Sequence, residues 1–142
     1  MTAAAAVMLA SCASFQHMWD QSNMEMVARL INDGQGAKLT EMSATPFLVD
    51  GEIVAMKPDV ASFWNGIVKA GFKIQEATLI QGTPLTSDSY KQFADAMEVK
   101  SFFEKYVKKD ARVLELRSVT SGDRILLILR DGKTIYGFKG PF

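Results

Sequence analysis

The residues able to do chemistry are few: one histidine, one cysteine, and a handful of acids among apolar neighbours. His17 is the only histidine, so no histidine cluster is available to hold a metal. It reads either as a lone general base or as a solvated residue near the start of a helix. Glu76 depends on strand phase. If Ile74, Thr78 and Ile80 face inward with it, Glu76 is an isolated acid in an apolar concavity, where desolvation raises its pKa and suits it to proton transfer. If Gln75, Ala77 and Leu79 face inward instead, Glu76 is solvated. Gly34-Gln35-Gly36 ends a helix and lacks the preceding strand that a dinucleotide-binding loop requires. No metal and no cofactor is expected.

Binding is an alternative to chemistry. Trp19, Phe63, Trp64, Phe103 and Tyr136 form an aromatic set that would either line an apolar pocket or simply fill the core. Lys105, Lys108, Lys109 and Arg112 form a basic run around Asp110. Such a run suits anionic lipid headgroups, and it equally suits a helix C-terminus, whose dipole favours cations.

The elements that position these residues follow from hydrophobic spacing. Phe15, Met18, Trp19, Ser22, Met26 and Leu30, widened by Val27 and Ile31, predict a first helix over 15–31 that stops at Asn32-Asp33-Gly34. A short helix over 37–42 follows. Asp50-Gly51 predicts a hairpin between 47–49 and 52–56. Asp59 is expected to cap a helix whose buried stripe is Val60, Phe63, Trp64, Ile67 and Val68. A strand over 73–81 precedes a helical region, 86–107, whose apolar phase shifts near Met97 and Glu98, implying two helices or a kink. Three strands close the chain, at 112–119, 124–129 and 134–138. Ile125-Leu126-Leu127-Ile128-Leu129 is apolar in both alternating phases, which predicts a central strand covered on both faces.

Helices early and antiparallel strands late imply an α+β fold, a curved antiparallel sheet wrapped around N-terminal helices. Trp19, Met26, Phe63 and Trp64 are expected to be buried together. At 142 residues, 48% hydrophobic and 23% charged, the chain suits one globular domain. Its formal net charge is zero, which argues against nucleic acid as a partner. The charge is divided, with three bases against seven acids over 1–66 and the reverse excess beyond.

Residues 1–10 are almost wholly small or apolar and run into Leu9-Ala10-Ser11-Cys12. That tetrapeptide resembles a bacterial lipobox. The resemblance implies a signal peptide over 1–11, cleavage before Cys12, and acylation of the Cys12 thiol in a single domain over 12–142. It further implies a lipid-anchored protein of the cell envelope, facing the periplasm or exterior. The pattern departs in having no Lys or Arg ahead of the apolar run.

The order of elements from Phe15 to Phe138 resembles the nuclear transport factor two-like (cystatin-like) cone superfamily. The first helix, the step Ala44-Thr45-Pro46-Phe47 into a hairpin, the Phe63-Trp64 helix and the closing strands 112–138 carry the likeness. The 86–107 segment departs from it and is expected over the mouth of the cone. Enzymes of that superfamily imply a proton-carrying acid, for which Asp20, Glu25 and Glu76 are the candidates. The tyrosine expected on the first helix is missing. The resemblance therefore implies a non-catalytic domain that binds a small apolar ligand or a protein partner. The alternatives are an isomerase or cyclase using Glu76 or Asp20, and a structural subunit of the envelope contacting partners through 86–107. A homodimer through the sheet face is compatible with all three.

Overall fold

The computed structural model describes the backbone of residues 3–142 and the side chains of residues 14–142. The signal-peptide reading and the Cys12 side chain lie outside the described residues.

The chain is α+β. Helix α1 (Ala3–Asn32) is followed by α2 (Gly36–Met42), then by the hairpin β1 (Ser43–Val49) and β2 (Glu52–Val54). Helix α3 (Lys57–Lys69) leads to β3 (Ala77–Pro84), a single 3-10 turn (Ser89–Gln92) and α4 (Met97–Tyr106). The meander β4 (Arg112–Ser118), β5 (Arg124–Arg130) and β6 (Thr134–Lys139) completes it. All six strands form one sheet in the order β2-β1-β6-β5-β4-β3. The sheet is mixed rather than wholly antiparallel, because β1 lies parallel to β6 while every other neighbouring pair is antiparallel.

Strand β5 explains the layering. Ile125, Leu127 and Leu129 enter one core with α1, α2 and α3, whereas Leu126 and Ile128 enter a second core with α4. Side chains alternate across a sheet, so an apolar strand with no polar phase needs cover on both sides. The first core centres on Trp64, whose ring packs near Phe63, Phe47 and Phe138 with centroids 4.9, 5.9 and 5.7 Å away. Its indole N–H donates to the Ser43 hydroxyl at 2.8 Å, and that hydroxyl donates to the Leu39 carbonyl. The polar end of a fully buried tryptophan is thereby satisfied.

Four expectations change. The buried face of α1 is Asp20, Met24, Val27, Ala28 and Ile31, so the helix is rotated from the predicted stripe. Trp19, Phe15 and Met18 point into solvent, and Trp19 does not join Phe63 and Trp64. The segment 86–107 lies on the far face of the sheet from α1–α3 rather than over the mouth of the cone. Helix α3 begins two residues before Asp59, because Pro58 is tolerated in a first turn. Asp59 there complements the dipole and makes no side-chain cap.

Replacing Trp64 by alanine should cost about 3–5 kcal/mol by the usual scale for large buried aromatics. Urea denaturation of the two proteins checks this, with an equal m-value showing that stability has changed and the compactness of the unfolded chain has not.

Candidate functional site

A buried, multiply hydrogen-bonded ion pair joins the first helix to the sheet. Asp20 sits on the buried face of α1 and is 2% exposed. Arg112, at the start of β4, grips it with two nitrogens: Nε donates to Oδ1 at 2.8 Å and Nη2 to Oδ2 at 2.9 Å. The same Nη2 donates to the Gly82 carbonyl at 3.0 Å, and the Gln16 side-chain amide adds a bond to Oδ1. Gly82 is required for this approach, since a Cβ there would run into the Asp20 carboxylate and crowd Leu114. Both carboxylate oxygens are thus occupied by a planar, permanently charged partner in bidentate geometry. The arrangement locks α1 to the sheet. It leaves no oxygen of Asp20 free of a partner with which to accept a substrate proton.

Beside the pair is a polar hollow of about 110 Å³ bordered by Trp19, Asn23, Asp110 and Asp131. Asp110 is itself engaged, accepting from Arg130 Nε at 2.8 and 3.0 Å. That hydrogen bond and charge hold the Arg130 guanidinium pKa above its ordinary value. Among the described residues, no group of three or more His, Cys, Asp or Glu side chains is placed to hold a metal ion.

Glu76 is exposed and precedes β3, at a positive φ of 51°. Of its strand neighbours, Leu79 is buried while Ile80 and Thr78 face outward. The chain turns before β3 because Asn32 clamps Ile74, donating to its carbonyl at 2.8 Å and accepting from its amide at 2.6 Å. Glu25 and His17 are exposed on α1.

The aromatic set is divided three ways. Phe63 and Trp64 lie together in the core under α1–α3. Phe103 and Tyr136 lie across the sheet, in the core under α4. Trp19 stands in solvent. No single cavity contains all five, because the sheet passes between the two pairs.

Two hollows with largely apolar walls are on the α4 side. One pocket of about 410 Å³ lies between the loop after β3 and helix α4, walled by Leu85, Tyr90, Phe103 and Val107, with Lys100 and Lys109 among its polar lining. A wider groove of about 610 Å³ runs between α4 and the β1–β2 hairpin, past Ile53, Phe102 and Tyr106.

Arg112 was legible in the sequence only as part of a basic run. Nothing local pairs it with an acid 92 residues earlier. The one available hint was that Asp20 interrupts an otherwise apolar helical phase. On the outer face Glu115 pairs across the strands on both sides, accepting from Arg124 of β5 at 3.1 Å and from Gln81 of β3 at 3.1 Å.

No family model matches the chain, and no curated protein and no solved structure matches it either.

Arg112→Ala should destabilise the fold by about 3–5 kcal/mol, because it leaves a buried carboxylate without its counter-charge. The double variant Asp20→Leu with Arg112→Met should recover most of that loss, and a double-mutant cycle in urea measures both.

Proposed function

We propose that this chain is an exported bacterial lipoprotein, anchored through Cys12, whose folded domain binds a small ligand with an apolar body and does not catalyse a reaction. The observation that carries the binding role is the pocket of about 410 Å³ beside α4. Its volume falls in the range of ordinary small-molecule sites, its walls are apolar, and a few polar groups are available to orient a guest. Lys100 and Lys109, against the single acid Glu104 in the same lining, suit a guest with an anionic end. The tether rests on Leu9-Ala10-Ser11-Cys12 and the apolar stretch before it. No helix among the described residues is long and apolar enough to cross a membrane. Attachment in this reading comes from lipid chains, which must number more than one to be stable.

A binding role is also supported by the state of the named acids. Asp20 is held by Arg112, and Glu76 is in solvent outside every hollow described above. The order of elements and the strand order β2-β1-β6-β5-β4-β3 support kinship with the nuclear transport factor two-like cones. Here the inner space of such a cone is filled by Trp64, Phe47 and Phe138. The ligand site is accordingly placed on the opposite face of the sheet. A second reading, a structural subunit that docks a protein, is favoured by the exposed Ile53, Met56, Met97 and Tyr106.

Two measurements test the proposal. The full chain expressed in a bacterial host should yield a membrane-fraction protein beginning at Cys12 and heavier by its acyl groups, and Cys12→Ala should abolish both features. Unmodified Cys12 in intact-mass spectra would end the lipoprotein reading. Separately, anilinonaphthalene sulfonate, an apolar anion, should bind one to one, and Ser87→Trp at the pocket lining should weaken it at least about tenfold, a loss of roughly 1.4 kcal/mol. Equal affinity in that variant would move the ligand elsewhere.

A further inference from the structure

Among its described side chains, helix α1 carries three large apolar ones that the fold does not bury. Phe15 is 69% exposed, Met18 65% and Trp19 57%. They occupy positions i, i+3 and i+4 and so share one face of the helix. That face is opposite the one that packs against the sheet through Asp20, Met24, Val27 and Ile31. Among the described side chains Asp20 is the first buried one; ahead of it, from Ser14, Phe15 and Met18 are exposed, and Trp19 borders the hollow beside the Asp20–Arg112 pair.

The outward face changes character along its length. Towards the N-terminus it reads Phe15, Met18, Trp19; further along it reads Ser22, Glu25 and Arg29, exposed, with Met26 and Leu30 beside them half-buried against the core. Met26 and Leu30 thus have a core to pack on, whereas Phe15, Met18 and Trp19 belong to neither core. Residues 13–19 carry no formal charge with His17 neutral, so transferring them from water would strip no ion of its hydration. Cys12 lies one helical turn before Phe15. At 1.5 Å per residue, Trp19 is only about 10 Å along the axis from the Cys12 position. An interfacial helix sinks its apolar face about 5–10 Å into the headgroup and acyl boundary, with tryptophan favoured at that level.

We infer that Phe15, Met18 and Trp19 form a membrane-contacting stripe that enters the lipid interface beside the Cys12 anchor and fixes the orientation of the domain on the bilayer. The occupant of this face is a lipid surface, and the inference rests on the tether proposed above. The polar step at Ser22 and Glu25 sets how deep the helix sits. Thermodynamically, the stripe adds apolar burial to that of the acyl chains. Orientationally, it turns a flexible tether into a fixed mount.

The two tryptophans make a direct test. Trp64 is fully buried under the sheet and serves as an internal reference, whereas Trp19 is exposed. The acylated full chain is reconstituted in phosphatidylethanolamine–phosphatidylglycerol vesicles containing lipids brominated high on the acyl chain. Trp19 emission should shift to the blue and be quenched, leaving the Trp64 share. Trp19→Phe should remove the quenchable fraction. Phe15→Ser with Met18→Ser should restore a water-exposed Trp19; because both side chains are already in solvent, that variant should keep the wild-type urea midpoint.

Trp19 emission that stays unquenched by bromolipid and accessible to acrylamide in vesicles would overturn the inference. Acrylamide protection without bromolipid quenching, growing with protein concentration, would overturn it in favour of a second copy of the chain. If intact-mass spectra show Cys12 unmodified, the tether reading fails by itself. Trp19 quenching is then read on the same unmodified chain added to the vesicles, where its absence, or its persistence in the Phe15→Ser, Met18→Ser variant, counts against the stripe.

Discussion

The apolarity of β5 on both faces constrains everything built around it. Five successive branched aliphatic residues, Ile125 to Leu129, would leave one row in water if the sheet were covered on a single side. Burial of each such side chain contributes on the order of 1.5–3 kcal/mol, so exposing even two of them would consume much of a marginal stability. The fold answers with α1, α2 and α3 on one face and α4 on the other. Two separate cores result. Any binding hollow must then sit at the margin of one core or the other, and the two described above sit at the margins of α4.

The second organising contact is the pair of Asp20 with Arg112. A buried ion pair is not by itself strong evidence for stability, because desolvation of both charges offsets their attraction. Its value here is positional. The carboxylate must meet a guanidinium held at the start of β4, and the backbone of Gly82 allows that approach. Helix α1 can satisfy this in only one rotation. That rotation brings Met24, Val27 and Ile31 onto the sheet and turns Phe15, Met18 and Trp19 away from it. One electrostatic contact thus sets which apolar residues become core and which become surface.

Much of the secondary structure was legible because its signals are local. Asp50 takes a positive φ at the turn where Asp50-Gly51 predicted a hairpin, and Asp131 does the same in the Asp-Gly turn between β5 and β6. The phase shift near Met97 marks the real division between the 3-10 turn and α4. The strand before β4 was harder to read. A bulge between Leu79 and Gln81 disturbs its alternation, and Asn32 holds Ile74 in a turn where a longer strand was expected. Both effects come from residues far away in the chain. The phase of α1 was misread for a related reason. Apolar residues occur on two faces of that helix, and periodicity alone cannot choose between them.

What the sequence by itself determined was the α+β class, the closing meander, the two-sided cover of β5 and the placing of Phe63 and Trp64 together on the inner stripe of α3. These follow from spacing, turn chemistry and composition, which act over a few residues. Only the tertiary structure decided that the aromatic set is split by the sheet, that Arg112 belongs to Asp20, and that Trp19 faces outward. Such outcomes depend on which distant groups meet when charge and apolar surface are buried together. A carboxylate finds its counter-charge through space, and its partner leaves no mark in the residues beside it.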